Sequence, residues 1–281
     1  LAFLNGLGYI KKFTIINALS SVFTLAITIV LIYYYQIFGA LYALVVTQFA
    51  VFFVALLLVW KKALRNISFS FLKPDFKTLK NLSHFSVMAI VSSSAMPISQ
   101  IIIRNYITKE MNLDSAGIWQ GLIRISDGYL LMIQITLGTY FLPKLSAITD
   151  RFAIRKEIID GLKFLAPLFL TMCTVIYFTR YLIIDILYSE EFYPMEELFF
   201  WQLTGDFFKV ISMVFSYLMI SKVMTKAFIF MEIFAAVLYV VLSCILINLM
   251  GLQGSTFAFF VTYAVCFFLM LMIFRKTLFT K

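Results

Sequence analysis

Ala227-Phe-Ile-Phe-Met-Glu-Ile-Phe-Ala-Ala-Val-Leu-Tyr-Val-Val-Leu-Ser-Cys-Ile-Leu-Ile-Asn-Leu-Met250 carries a single formal charge, Glu232. About 20 mostly apolar residues in a helix span the hydrocarbon of a bilayer. The run lacks the two-residue alternation of a barrel strand. A helix is then the only form that satisfies its backbone groups in lipid. Residues 252–274 repeat the pattern immediately, and working back along the chain finds residues 13–35, 39–60, 84–103, 116–142, 162–181 and 197–220. The sequence therefore predicts an all-α integral membrane protein with eight transmembrane helices.

Composition agrees. AVILMFWYC residues make up 63% of the 281 positions and charged residues 13%, with mean hydropathy +0.98. Water-facing positions could not hide so much apolar surface. The net charge of +9 raises nucleic-acid binding, but the basic residues sit between apolar runs rather than on one soluble face. Cys173, Cys244 and Cys266 lie inside apolar runs, and His84 is the one histidine. That set supports neither a disulfide framework nor a zinc site, and no cofactor is expected. No P-loop, GxSxG, HExxH or EF-hand pattern occurs, so the chain is expected to break no covalent bond.

Lysines and arginines set the orientation. Counted by side, 18 fall on one set of loops and ends and 3 (Arg104, Lys109, Arg180) on the other, with Arg124 and Lys209 inside spans. The rich side is expected to be cytoplasmic, and with it the C-terminus. Residues 61–83, which mix Phe and Leu with lysines, are expected to lie along the membrane surface and to separate residues 1–60 from residues 84–281. An internal repeat supports that division: residues 11–61 shifted by 215 positions match residues 226–276 at 13 of 51 places, Gly39/Gly254, Ala43/Ala258 and Thr47/Thr262 among them. Both copies run in the same sense, as in transporters built of parallel repeats. Residue 1 is Leu, and the repeat implies that the first lobe has earlier helices.

Charges inside spans mark candidate sites, because each costs about 2.5–3.5 kcal/mol at a helix centre unless it faces a bundle interior or a wet cavity. Arg124 and Asp127 are three apart, as are Asp206 and Lys209, so each pair shares a helical face and either neutralises itself or serves a ligand. Arg124 and Lys209 are the candidates for phosphate or sugar contact, arginine because its planar fork binds phosphate through two bonds. Arg104, near an outer helix end, is a third candidate, with headgroup anchoring as its alternative. Asp127 and Asp206 are the candidates for charge balance and proton coupling. Glu232 joins them, or else snorkels to the interface. Pro97, after Ser92-Ser93-Ser94, is expected to break its helix and free a carbonyl, or to kink it.

The stretches Ser115-Ala116-Gly117-Ile118-Trp119-Gln120-Gly121, Ile125-Ser126, Tyr129-Leu130 and Gly138-Thr139-Tyr140-Phe141-Leu142-Pro143-Lys144-Leu145-Ser146 resemble the Wzx-type O-antigen and lipid III flippases. So do Gly205-Asp206-Phe207-Phe208-Lys209, Lys222 and Thr225-Lys226-Ala227-Phe228-Ile229. The resemblance implies a polysaccharide-transport branch of the superfamily that holds MATE exporters and the lipid II flippase. It implies twelve helices in two six-helix lobes, of which this chain would carry helices five to twelve: residues 1–60 ending the first lobe and 84–281 forming the second. The implied activity is flipping of undecaprenyl-pyrophosphate-linked oligosaccharide from the cytoplasmic to the periplasmic leaflet of the bacterial inner membrane by ion-coupled alternating access. The implied partners are lipid-linked oligosaccharide, membrane lipid, a polysaccharide polymerase and a chain-length regulator. A MATE-like small-molecule exporter is the first alternative, which the central Arg124 and Lys209 disfavour for cations. A membrane polymerase or glycosyltransferase on the same carrier is the second. The longest outer connection, residues 182–196, is short for a catalytic domain.

Overall fold

A computed structural model describes residues 10–63 and 76–279, all in helices or the short turns between them. The chain divides into two compact units, Leu1–Lys73 and Pro74–Lys281. Among the described residues, seven helices are long and apolar enough to cross a membrane. The protein is an all-α integral membrane protein with several crossings.

The first unit contains α1, Ile10–Ala63, 54 residues in length. A straight helix of that length would measure about 80 Å, far more than a hydrocarbon layer of about 30 Å. The helix is interrupted at Gln36, whose φ of 48° and ψ of −126° are not helical. A Cβ added to Gly39 would lie 1.9 Å from the Leu31 carbonyl oxygen. Eight residues along an unbroken helix those groups would be about 12 Å apart, so the chain reverses at Gln36. The two spans expected over residues 13–35 and 39–60 are the two arms of this reversal.

The same reversal occurs 215 residues later. Gly251 has φ 63° and ψ −145°, and a Cβ on Gly254 would lie 2.1 Å from the Leu246 carbonyl oxygen. Gln36, Leu31 and Gly39 thus correspond to Gly251, Leu246 and Gly254 in conformation and in offset. Within each copy the small residues after the reversal are buried: Ala43 and Thr47 in one, Ala258 and Thr262 in the other. Small side chains let two helix arms approach closely in a membrane.

The second unit comprises α2 (Phe76–Glu110), α3 (Leu113–Thr136), a π-helical turn (Leu137–Phe141), α4 (Leu142–Ala147), α5 (Arg151–Leu187), a 3-10 turn (Glu190–Met195), α6 (Glu196–Ser221), α7 (Thr225–Met250) and α8 (Gln253–Phe279). Side-chain caps start two of them: Asn112 accepts from the Ser115 amide at 2.7 Å and Asp150 from the Ala153 amide at 2.9 Å, each satisfying one of the free first-turn donors. Carbonyls just before the π turn and at the end of α4 accept from side chains at and beyond the end of α6. Tyr217 donates to the Gln134 carbonyl at 2.9 Å, and Lys222 donates to the carbonyls of Leu145 and Ile148.

α6 is the central helix and is buried on most sides, as expected of a helix enclosed by others. It packs against α8, α5, α3 and α4, while α7 packs on α8 and α2 on both α7 and α3. Gly205 permits the α6–α8 contact, since a Cβ there would lie 2.5 Å from the Phe259 ring and 3.1 Å from the Phe260 backbone. Large apolar side chains such as Phe164, Val175 and Phe178 of α5 point outward, the arrangement that lipid as solvent allows.

Two expectations need correction. Residues 76–83, assigned to a surface linker over 61–83, belong to α2, and residues 61–63 to α1; residues 64–75 of that linker lie outside the described residues. Pro97 does not break α2, which runs unbroken from Phe76 to Glu110. Its missing N–H still leaves the Ser93 carbonyl without its helical donor.

Candidate functional site

The buried charge of the second unit is Asp206 on α6, fully enclosed. Two hydroxyls of α3 reach it: Ser126 donates at 2.8 Å and Tyr129 at 2.5 Å. Gln202, one turn earlier on α6, offers its amide N–H group to Asp206 at 3.4 Å and to Ser126 at 3.3 Å. A carboxylate accepts only, so three donors around it form a matched set. Burying a charge is tolerable when it is paired or hydrogen-bonded, and here neutral donors do most of that work.

One turn further along α6, Lys209 points elsewhere. Its ammonium sits 5.4 Å from the ring centres of both Phe259 and Tyr263 of α8, within cation–π range. Among the described residues, ion pairs join Lys109 with Glu110 and Lys144 with Glu157; Lys209 makes none with either carboxylate. Self-neutralisation of Asp206 by Lys209 is therefore not what the helix does. Asp206 turns toward α3 and Lys209 toward α8.

Lys209 and Glu232 line one cavity of about 440 Å³, together with Ser92, Ser93, Gln134, Ser212, Tyr263 and a group of methionines. The Ser212 hydroxyl is buried and has no partner. The cavity presents an ammonium, a carboxylate and several hydroxyls between apolar walls, so it can hold a polar group that both accepts and donates hydrogen bonds. Glu232, for which interfacial snorkelling was the alternative, is half-buried and lines this cavity.

The remaining candidates lie apart from it. Arg124 is exposed and Asp127 half-buried on α3, and the two form no ion pair. Gly117 and Gly128, on the same side of α3 as Arg124, have nothing within 4 Å of an added Cβ. Among the described residues, nothing packs against α3 at Gly117 and Gly128. Arg104 is exposed near the end of α2 and does not line the cavity with Lys209. Ser126, Tyr129 and Gln202 are the functional neighbours that charge-based reasoning passed over. Their signal was spacing: Ser126 and Tyr129 are three apart and Gln202 and Asp206 four apart, so each pair shares a face.

The family model described as polysaccharide biosynthesis protein matches residues 9–197. The lipid III flippases of Escherichia coli (strain K12) and Shigella flexneri are each 34% identical to this chain over 231 residues, 82% of this chain and 55% of theirs. The chain thus spans about half the length of these curated relatives. Among solved structures, a multidrug-resistance MATE family transporter of the MOP superfamily in an outward-facing conformation superposes with a TM-score of 0.77 at 15% identity, over 98% of this chain and 64% of that one. A MATE in the straight conformation does so with a TM-score of 0.77 at 14% identity and the same coverage. Those identities speak for the fold. With the family model covering residues 9–197, well over half of the sequence, the chain belongs to the polysaccharide biosynthesis protein family.

Proposed function

We propose that the chain serves in a flippase that moves a polyprenyl-pyrophosphate-linked oligosaccharide, of the O-antigen or lipid III kind, across the bacterial inner membrane without covalent change. The observation that carries this reading is the cavity of α2, α3, α6, α7 and α8, where Lys209 and Glu232 stand unpaired inside an apolar bundle. Unpaired charges within a span mark a transport path. Lys209 contacts phosphate or sugar, and Glu232 accepts sugar hydroxyls. Asp206 couples ion movement through its shell of neutral donors. Arg124 and Asp127 stand beside Gly117 and Gly128 on α3, where nothing lies within 4 Å of an added Cβ. An arginine at mid-span does not face lipid, and in this reading Arg124 meets the pyrophosphate on the substrate's path. Arg104 contacts headgroups at the outer end.

In this reading residues 1–60 close the first lobe and residues 84–281 belong to the second, the connection expected over 61–83 being shortened by the ends of α1 and α2. The basic side and the C-terminus are cytoplasmic, and a polymerase and a chain-length regulator receive the product. The fold likeness to MATE transporters favours a second reading, export of a small organic cation, with Glu232 as its counter-ion. Reconstitution separates the two. In vesicles containing the chain and the first lobe of a lipid III flippase, lipid-linked oligosaccharide should change leaflets and a fluorescent organic cation should not. Cation movement without lipid movement would establish the exporter instead.

A further inference from the structure

The cavity beside Lys209 is a slot with a direction. Along α6 its lining runs from Lys209 through Ser212 and Ser216 to Ile220, the last of these in the final turn of that helix. Positions three and four apart share a helical face, so these four form one stripe, about 16 Å long at 1.5 Å per residue. The slot therefore reaches from the middle of α6 to the end of the bundle where Lys222, Lys226 and Arg275 stand in the chain.

Lys209 and Glu232 lie at different depths in it. Lys209 sits over the ring of Phe259, and Phe259 meets Tyr239 of α7 edge-on at 5.4 Å. Tyr239 thus marks the level of the ammonium on α7. Glu232 comes two helical turns before Tyr239, about 10 Å nearer the basic end. Helical side chains lean toward the start of their own helix. α7 starts at the basic end and α6 at the opposite one, so Glu232 leans toward the mouth and Lys209 away from it. Two opposite charges therefore share one cavity without forming an ion pair.

Charge balance selects the ligand. One ammonium and one carboxylate give the slot no net formal charge. A pyrophosphate entering from the basic end would pass the Glu232 carboxylate first and find a single ammonium beyond it. Its remaining negative charge would stay unpaired beside Met96, Met213 and Phe228, where a desolvated charge is costly. A sugar ring carries no charge, and each of its hydroxyls both donates and accepts. It can donate to Glu232 and accept from Lys209. The Ser212 hydroxyl lines the same space, is 4% exposed and has no partner among the described residues. Buried hydroxyls are seldom left so, and a ligand hydroxyl supplies what it lacks. A volume of about 440 Å³ lies in the range of small-molecule sites, room for a short stretch of sugar rather than a whole oligosaccharide.

We propose that the Lys209–Glu232 cavity is a sugar-recognition site, which takes an uncharged sugar unit head-first from the basic end while the pyrophosphate stays outside at that end. The proposal rests on the flippase reading and assigns Lys209 to sugar instead of phosphate.

The test places a thiol midway along the slot with Ser216→Cys. The full chain carrying it is held in phosphatidylethanolamine–phosphatidylglycerol vesicles, and its alkylation by N-ethylmaleimide is followed by mass spectrometry. Cys244, which does not line the slot, is the internal reference. Farnesyl pyrophosphate carrying N-acetylglucosamine should slow alkylation of the introduced thiol about tenfold when present at about ten times its Kd. Free di-N-acetylchitobiose should protect at higher concentration, and farnesyl pyrophosphate should not protect. Adding Glu232→Gln should weaken protection by the sugar-bearing probe and allow protection by farnesyl pyrophosphate. Opposite shifts of two probes cannot come from a loss of folding. Equal protection by farnesyl pyrophosphate and the sugar-bearing probe in the chain with Glu232 intact would overturn the proposal, as would a common shift of both in Glu232→Gln. If no probe protects while vesicles that also hold the first lobe of a lipid III flippase still move lipid-linked oligosaccharide, the cavity is not the sugar site and the flippase reading stands. Sugar protection without any such movement would remove the flippase reading and leave a sugar-binding cavity.

Discussion

Asp206 allows structure and function to be separated by two substitutions. In Asp206→Ala, the hydroxyls of Ser126 and Tyr129 and the amide of Gln202 lose their common acceptor in a buried place. Each stranded buried group costs about 1–3 kcal/mol. Two effects offset part of that sum: the desolvated charge is gone, and the partnerless Gln202 carbonyl oxygen can accept one freed hydroxyl. A net loss of about 2–4 kcal/mol is expected. In Asp206→Asn the volume is kept and Tyr129 retains an acceptor. The new N–H group can donate to the Ser126 oxygen or, after the amide turns, to the free Gln202 oxygen, so the expected loss is under about 1 kcal/mol. The assay is the temperature at which half of the detergent-solubilised protein leaves the monodisperse peak, together with flipping rate at matched abundance. Asp206→Asn should melt near the parent, Asp206→Ala well below it. Asp206→Asn should also transport without responding to an imposed proton gradient. If both variants melt alike, the donor-shell argument is wrong and the charge itself, opposite Lys209, holds α6. If Asp206→Asn responds normally to the gradient, Asp206 is not the coupling group.

Further outcomes follow from other positions. Gln36 holds a backbone conformation that its counterpart Gly251 takes at no steric cost, so Gln36→Gly should stabilise by about 1 kcal/mol and Gly251→Ala should destabilise by about 1–3 kcal/mol in the same melting assay; a loss from Gln36→Gly would contradict the matched reversals. Gly205→Ala should cost about 1–3 kcal/mol by pressing α6 against Phe259 and Phe260, and a neutral result would mean the two helices are further apart. Arg124→Ala combined with Asp127→Ala should slow flipping without lowering the melting point, since Arg124 forms no ion pair among the described residues; normal flipping would remove Arg124 from the substrate path. Cysteines placed at Lys77 and Glu191 should label from opposite sides of intact cells, and labelling of both from outside would reverse the orientation argument.

The membrane-crossing helices, the internal repeat and the charges at 206, 209 and 232 were legible in the residues alone, although eight spans were expected and seven helices qualify among the described residues. All of these depend on quantities that run along the chain: a hydrocarbon thickness, a repeat offset, a cost per buried ion. The repeat went further than sequence matching required, because Gln36 and Gly251 proved to share an unusual backbone conformation. The rotation of each helix about its own axis was not legible. In a soluble helix a polar face reveals that angle, but in a membrane both the lipid face and the core face are apolar. Hence spacing alone paired Asp206 with Lys209, whereas packing turned one toward Ser126 and Tyr129 and the other toward Phe259 and Tyr263. The same ambiguity left Arg124 and Ser126, two residues apart, indistinguishable until α3 placed one outward and the other against a buried carboxylate. Hydroxyls and amides escaped notice because they cost too little in a membrane to stand out in the sequence, and they became visible only once tertiary structure gathered them around Asp206.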